Sequence, residues 1–170
     1  MQSFSSFFSR SPKRTAIFDD VVKRRLPRAV ITRWNFKSQM VNTLYEYQNF
    51  FRDCLEKIIN EDPDSKTISE ASGLLKHLTC SEILYWLKIF HLIMPHVDIF
   101  FNQVQTRGIE SVQIQNAIEQ FERQIIRIRS VINNLEQEGV SEESAKRRQK
   151  VDDIRSVVAK EVCDNILIQI

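Results

Sequence analysis

The sequence predicts an all-α protein: an elongated helical bundle whose C-terminal half is a long antiparallel helical hairpin. Three observations carry this. Only three Gly and four Pro occur in 170 residues, and these are the residues that interrupt helices and build tight turns. Apolar residues recur at spacings of three and four, which line up on one face of a helix with 3.6 residues per turn. No segment offers a strand of any strength, and no internal repeat is present. Hydrophobic residues make up 42% and charged residues 27%, enough apolar material for one real core in a chain of ordinary domain length.

The elements follow in order. A short helix runs from about Thr15 to Arg25 and is closed by Pro27. Asn35 caps a second, reaching about Asn60, whose Val41, Leu44, Phe51, Leu55 and Ile58 form one buried stripe. Residues 61–65 are a loop. Thr67 and Glu70 have the T-x-x-E spacing of a capping box ahead of a short helix through Leu74, Leu75 and Leu78, and Thr79 with Glu82 repeats it. From Glu82 to about Thr106 the chain is apolar almost all round. A membrane span is the obvious rival, but Lys88, His91, His96 and Asp98 interrupt the run. Each ionised group at a bilayer centre costs about 2.5–3.5 kcal/mol. The reading is a buried central helix, kinked near Pro95, with no membrane partner.

Gly108 stops that helix. From Ser111, Ile114, Ile118, Phe121, Ile125, Ile128, Ile132 and Leu135 alternate spacings of four and three, a strict heptad. Gly139 breaks the pattern, Ser141 is placed to cap the next helix, and Val151, Ile154, Val158 and Val162 supply its apolar face. Two long helices with a short connection read as the hairpin.

Charge divides the chain into a basic segment, 1–34, holding one short helix, and a helical bundle, 35–170. Residues 1–37 carry nine Lys or Arg against Asp19 and Asp20, a net of +7 within a chain whose total is +2. A polyanion-binding segment needs such a patch; a solvated tail and an import signal have the same composition. The first fourteen residues, Ser- and Arg-containing without acids, share this with mitochondrial presequences, and Phe4, Phe7 and Phe8 are broken up by serines and form no secretory apolar region. The expectation is a mobile N-terminus exposing these rings with Ile17 and Phe18.

No phosphate-cradling glycine loop, zinc-protease helix or nucleophile elbow is present. His77, Cys80, His91 and His96 match no zinc-finger spacing, and Cys54, Cys80 and Cys163 form no CxxC pair. No cofactor, metal or small-molecule substrate is expected. The unusual feature is the run Arg24-Arg25-Leu26-Pro27-Arg28 to Thr32-Arg33-Trp34-Asn35. Guanidinium groups grip phosphate bidentately, and an indole face stacks on an unpaired base. The candidate DNA-contacting set is Arg24, Arg25, Arg28, Arg33, Trp34 and Lys37. The alternative is a Trp anchoring a helix start, with Arg33 lying over it.

The stretches Ser6-Phe7-Phe8-Ser9-Arg10-Ser11-Pro12-Lys13-Arg14, Leu26-Pro27-Arg28 and Thr32-Arg33-Trp34-Asn35-Phe36 resemble the hAT transposase superfamily, in particular the transposase-derived group related to zinc finger MYM-type proteins. Leu84-Tyr85-Trp86-Leu87-Lys88-Ile89-Phe90-His91, Met94-Pro95-His96-Val97-Asp98 and Phe101-Asn102-Gln103-Val104-Gln105-Thr106-Arg107 resemble the same group. The likeness covers about residues 6–135. It implies a ribonuclease-H-like protein interrupted by a large helical insertion, with the Arg33-Trp34 pair near the insertion's beginning and Trp34 stabilising a flipped base at transposon ends. It also implies that the family's metal-binding acids lie outside this stretch, two upstream and one downstream, so no catalytic residue is assigned.

The expected function is therefore that of a non-catalytic helical part of a domesticated or decayed hAT-type transposase, contacting DNA through its basic segment and Trp34. The alternative is a protein-interaction module whose 114–135 heptad pairs with itself or another helical protein. The resemblance and the basic segment place it in the nucleus, and the chain without them in the cytoplasm.

Overall fold

A computed structural model describes residues 2–22, 34–132 and 145–170. Among them are eight helices: α1 (Gln2–Ser9), α2 (Pro12–Val22), α3 (Trp34–Glu46), α4 (Gln48–Glu61), α5 (Ser65–Thr79), α6 (Ser81–Val104), α7 (Ser111–Val131) and α8 (Ala145–Ile168). No strand occurs among the described residues, so the fold is all-α. The chain forms two compact units, Met1–His91 and Leu92–Ile170.

A cluster of phenylalanines organises the start of the first unit. Phe4, Phe7 and Phe8 sit at i, i+3 and i+4, one face of a helix, and their serine neighbours take the other face. The N-terminus thus begins with a helix of its own before α2, and α2 opens with Pro12 in its first turn, where a missing N–H costs nothing. Phe8 and Phe18 are each 1% exposed and Phe51 of α4 is fully buried. The Phe51 ring lies 6.0 Å from Phe4, 5.9 Å from Phe8 and 4.9 Å from Phe18. Edge and tilted arrangements of this kind add about 0.5–1.5 kcal/mol per pair beyond burial. The expectation of exposed N-terminal rings is therefore corrected: Phe4, Phe7, Phe8 and Phe18 are core, and α1 and α2 are integral to the first unit.

Arg14 locks this arrangement polar-side. Its guanidinium lies 4.4 Å from the Phe7 ring centroid, donates to the Phe7 carbonyl at 3.1 Å, and donates to Thr67 Oγ1 at 2.8 Å. Glu70 stands 3.9 Å away. Thr67 in turn donates to Asp64 Oδ2, and Asp64 accepts from the backbone N–H groups of Lys66 and Thr67. The cap of α5 is accordingly Asp64, three residues before the Thr67–Glu70 box expected there; these hydrogen bonds hold the Asp64 carboxyl below the usual carboxylate range. Thr79 likewise does not cap α6: its hydroxyl bonds back to the carbonyls of Leu75 and Lys76, while Glu82 accepts from the Trp86 indole at 2.8 Å. Hydrogen bonds to a charged group contribute about 1.5–3 kcal/mol. Arg14→Met, which keeps the stem over Phe7, should lower unfolding stability by about that much in urea titration.

The stretch 35–60, expected as one helix, is two. Tyr47 steps out of helical geometry with φ −111° and ψ 21°, although its N–H still reaches the Thr43 carbonyl and its own carbonyl accepts from Phe51. The Thr43 hydroxyl bonds back to Gln39, a contact that bends helices. Met40, Val41 and Leu44 from α3, and Phe51, Cys54, Leu55 and Ile58 from α4, all point into the core. Burial pushes the Cys54 thiol up to about 11. Arg52 donates to the Leu78 carbonyl at 2.7 Å, placing a cation at the C-terminal end of α5, where the helix dipole favours it.

Helix α6 runs unbroken through Pro95. By length and composition it is sufficient to cross a membrane, and only 28% of its most apolar stretch is buried. Leu87 and Ile89 are buried, as are Ile93, Met94 and Val97, but Ile83, Ile99 and Phe101 are exposed. The fully buried central helix expected from its sequence is therefore not found. Its apolar residues encircle the helix, and the packing covers only part of that circumference.

In the second unit Gly108, at φ +78°, ends the irregular turn after α6, a conformation that a side chain with a Cβ resists. Glu110 and Gln113 form a reciprocal capping box at the start of α7. The heptad stripe is packed internally: Phe121, Ile125, Ile128 and Ile132 are buried, and Ile114 and Ile118 half-buried. Phe100 stacks on Phe121 with centroids 5.0 Å apart. Helices α7 and α8 pack on each other, joined by a bidentate pair in which Arg129 donates to Asp164 at 2.6 and 3.1 Å. The core face of α8 is not the valine stripe. Ser156, Ala159 and Cys163 are buried, whereas Ile154 and Val158 are 57% and 38% exposed. Small side chains on that face suit the bulky isoleucines of α7, which need depth. Leu135, Gly139 and Ser141 lie outside the described residues, as does the side chain of Val151.

Candidate functional site

The basic segment is the functional candidate with the clearest chemistry, and described helices stand before and after its arginine run. Helix α2 ends at Val22 and α3 begins at Trp34, and both pack on α4. Arg24, Arg25, Arg28 and Arg33 lie outside the described residues. Trp34 is the first residue of α3, with its indole likewise outside them. Lys37, one turn further on, is exposed.

The neighbouring basic residues divide by role. Lys13 and Arg10 are exposed. Arg14 is spent on Phe7 and Thr67 and is no candidate for a phosphate. Charge counting cannot make this distinction, because a guanidinium used inside the fold and one offered to a ligand are identical in sequence. The signal that marks Arg14 is its place five residues after the end of α1, between a phenylalanine helix and a threonine 53 residues away.

Arg10 lines a cleft of about 500 Å³ between α1 and α5, with Ser3, Ser6, Ser69, Glu70 and His77 around it and Gly73 on its wall. A Cβ on Gly73 would meet nothing within 4 Å, so that glycine keeps no close approach. The cleft mixes cation, carboxylate and hydroxyls, which suits hydrogen bonding but opposes a row of phosphates.

The histidines have separate structural settings. His91 is half-buried, stacks on Tyr45 with centroids 4.2 Å apart and bonds through Nδ1 to Asn42 Oδ1 at 2.8 Å. His96 is half-buried in the second unit, and His77 is exposed. Among the described residues no three His, Cys, Asp or Glu side chains are grouped to hold a metal ion.

Burial lowers the proton affinity of both His91 and His96, with Arg127 adding to the effect at His96 and Glu46 opposing it at His91. The folded state therefore prefers neutral imidazoles. Stability from these groups is fully present above the unfolded value near 6.5, and is lost as pH falls from there through the lower folded values. Denaturation midpoints should drop between pH 7.5 and 5.5, and a His91→Gln, His96→Gln double variant should flatten that dependence.

The class these features define is that of an all-α protein. No family model, no curated protein and no solved structure matches the chain.

Proposed function

We propose that this chain is the non-catalytic helical part of a hAT-type transposase-derived protein, and that it contacts DNA through Arg24, Arg25, Arg28, Arg33, Trp34 and Lys37. The observation that carries the reading is the net charge of +7 over residues 1–37, centred on a segment whose two flanking helices both pack on α4. Neutralising phosphates releases condensed counterions, which drives binding and makes it depend on salt. A rigid base for the segment lowers the ordering cost of that contact.

Trp34 has the second role. An indole stacked on an unpaired base contributes about 1–3 kcal/mol, which distinguishes a distorted DNA end from plain duplex. The strings around Thr32-Arg33-Trp34-Asn35-Phe36 are the part of the hAT resemblance that assigns this role, and a nuclear site of action follows from it. The heptad of α7 offers less for a partner, since its central residues are already packed within the second unit.

The test is fluorescence anisotropy of a labelled DNA hairpin carrying one unpaired base, across a salt series, beside a matched plain duplex. Binding should weaken with salt for both, and Trp34→Ala should weaken the hairpin alone, by about tenfold or more. Absence of binding at low salt would remove the DNA reading. Equal loss for hairpin and duplex would remove the base-stacking role.

A further inference from the structure

We propose that Ser11, in the joint between α1 and α2, is a phosphorylation site for a proline-directed protein kinase, and that its phosphate engages Arg10 and Lys13. The modification stands apart from the DNA reading; its effect on DNA rests on that reading. The sequence holds four prolines, and Pro12 alone follows a serine or threonine, since Leu26, Asp62 and Met94 precede the others. Proline has no N–H. A kinase pocket without an acceptor at that position takes proline and penalises other residues, whose N–H is left there without a partner. Helix α1 ends at Ser9 and α2 opens at Pro12, so Arg10 and Ser11 belong to neither. Ser9, Arg10, Pro12 and Lys13 are exposed and Ser11 is half-buried, whereas Ser5, Ser38 and Ser156 are buried. The Ser11 N–H is held by the Phe8 carbonyl at 3.4 Å, a weak bond to give up when a kinase cleft draws the serine out.

The serine is free to react. Its Oγ accepts from the Arg14 N–H at 3.5 Å, and among the described residues its O–H donates to no protein group. In the transfer, Oγ attacks the γ-phosphorus of ATP and the Oγ–P bond forms. The bond from that phosphorus to the β–γ bridging oxygen breaks, ADP leaves, and the hydroxyl proton passes to the kinase's carboxylate base. Two cations stand ready for the product. Arg10 directly precedes Ser11 and Lys13 lies two residues after it, and among the described residues neither side chain makes a hydrogen bond or ion pair. Arg14 is already held by Phe7 and Thr67. A phosphoserine carries about −1.5 to −2 charges at neutral pH, which takes residues 1–37 from +7 to about +5. The phosphate is thus a local means of lowering the charge of the basic segment.

The full chain is incubated with ATP and a purified proline-directed kinase, and the product is read by intact mass and fragment-ion mapping. Expected is a single phosphate on Ser11, absent from Ser11→Ala and slowed about tenfold or more in Pro12→Ala, with circular dichroism verifying that the second variant is folded. The phosphorus NMR titration of the product then reports the cations. Its second ionisation, ordinarily at about pH 6, should fall lower in the original chain than in an Arg10→Ala, Lys13→Ala variant. In DNA anisotropy, phosphorylation should flatten the slope of log affinity against log salt by about two, one for each cation withdrawn. The proposal is overturned if the folded chain takes no phosphate at Ser11, if Pro12→Ala is modified at the same rate, or if the ionisation is indifferent to the two cations. Phosphate on Ser11 with no DNA binding by either form removes the DNA reading and leaves the modification standing.

Discussion

Phe51→Ala is expected to be the most damaging single substitution in the first unit, costing about 3–5 kcal/mol. Phe51 is fully buried and, among the described residues, is the ring that meets Phe4, Phe8 and Phe18 together. Truncation removes its own transfer energy, opens a cavity, and strips edge contacts from rings on two other helices. Since whole domains are stable by only about 5–15 kcal/mol, a loss of this size uncouples α1 and α2 from α4. The measurement is amide hydrogen exchange with chemical denaturation. Protection across residues 2–22 should collapse in the variant, ahead of α7 and α8. If protection there were weak already in the unsubstituted protein, the aromatic cluster would not be the core described above.

The second large effect concerns the DNA reading. Replacing Arg24, Arg25, Arg28 and Arg33 together by alanine removes four of the nine positive charges in residues 1–37. Each phosphate contact contributes about 0.9 to the slope of log affinity against log salt, so the slope should flatten by about three to four. At low salt the affinity should fall by several orders of magnitude, as for other losses of multiple phosphate contacts. An Arg10→Ala, Lys13→Ala variant is the comparison. Its two exposed cations stand on α1–α2 and beside the mixed-charge cleft, and its slope should fall by less. Equal slopes for the fourfold variant and the original chain would sink the assignment, whatever the absolute affinity.

The two predictions draw on opposite kinds of legibility. The +7 head is plain in the residues, yet its members proved unequal once Arg14 was found engaged with Phe7 and Thr67. The phenylalanines were equally visible, at spacings of three and four, but serines between them masked an amphipathic helix as a broken apolar run. Asp64 shows the same limit at a smaller scale. A T-x-x-E box at Thr67 and a lone Asp three residues earlier are both valid starts, and Thr67 is drawn inward because Arg14, 53 residues away in sequence, bonds to it.

What the sequence determined by itself is what depends on neighbours along the chain. Scarce Gly and Pro and 3–4 spacing dictate helices. Gly108 and the loop around Pro63 set two of their ends, and the heptad from Ile114 to Ile132 faces inward because one continuous stripe of isoleucine has a single low-energy place to go. What only the tertiary structure decided is which of several adequate faces wins. Helix α8 has a valine–isoleucine stripe and a small-residue stripe, and the small one is buried because isoleucines on α7 already fill the space between the helices. Helix α6 is apolar all round, and packing covers only some of it. Burial is a shared quantity, settled by the volumes and shapes of distant partners, and no local pattern contains that information.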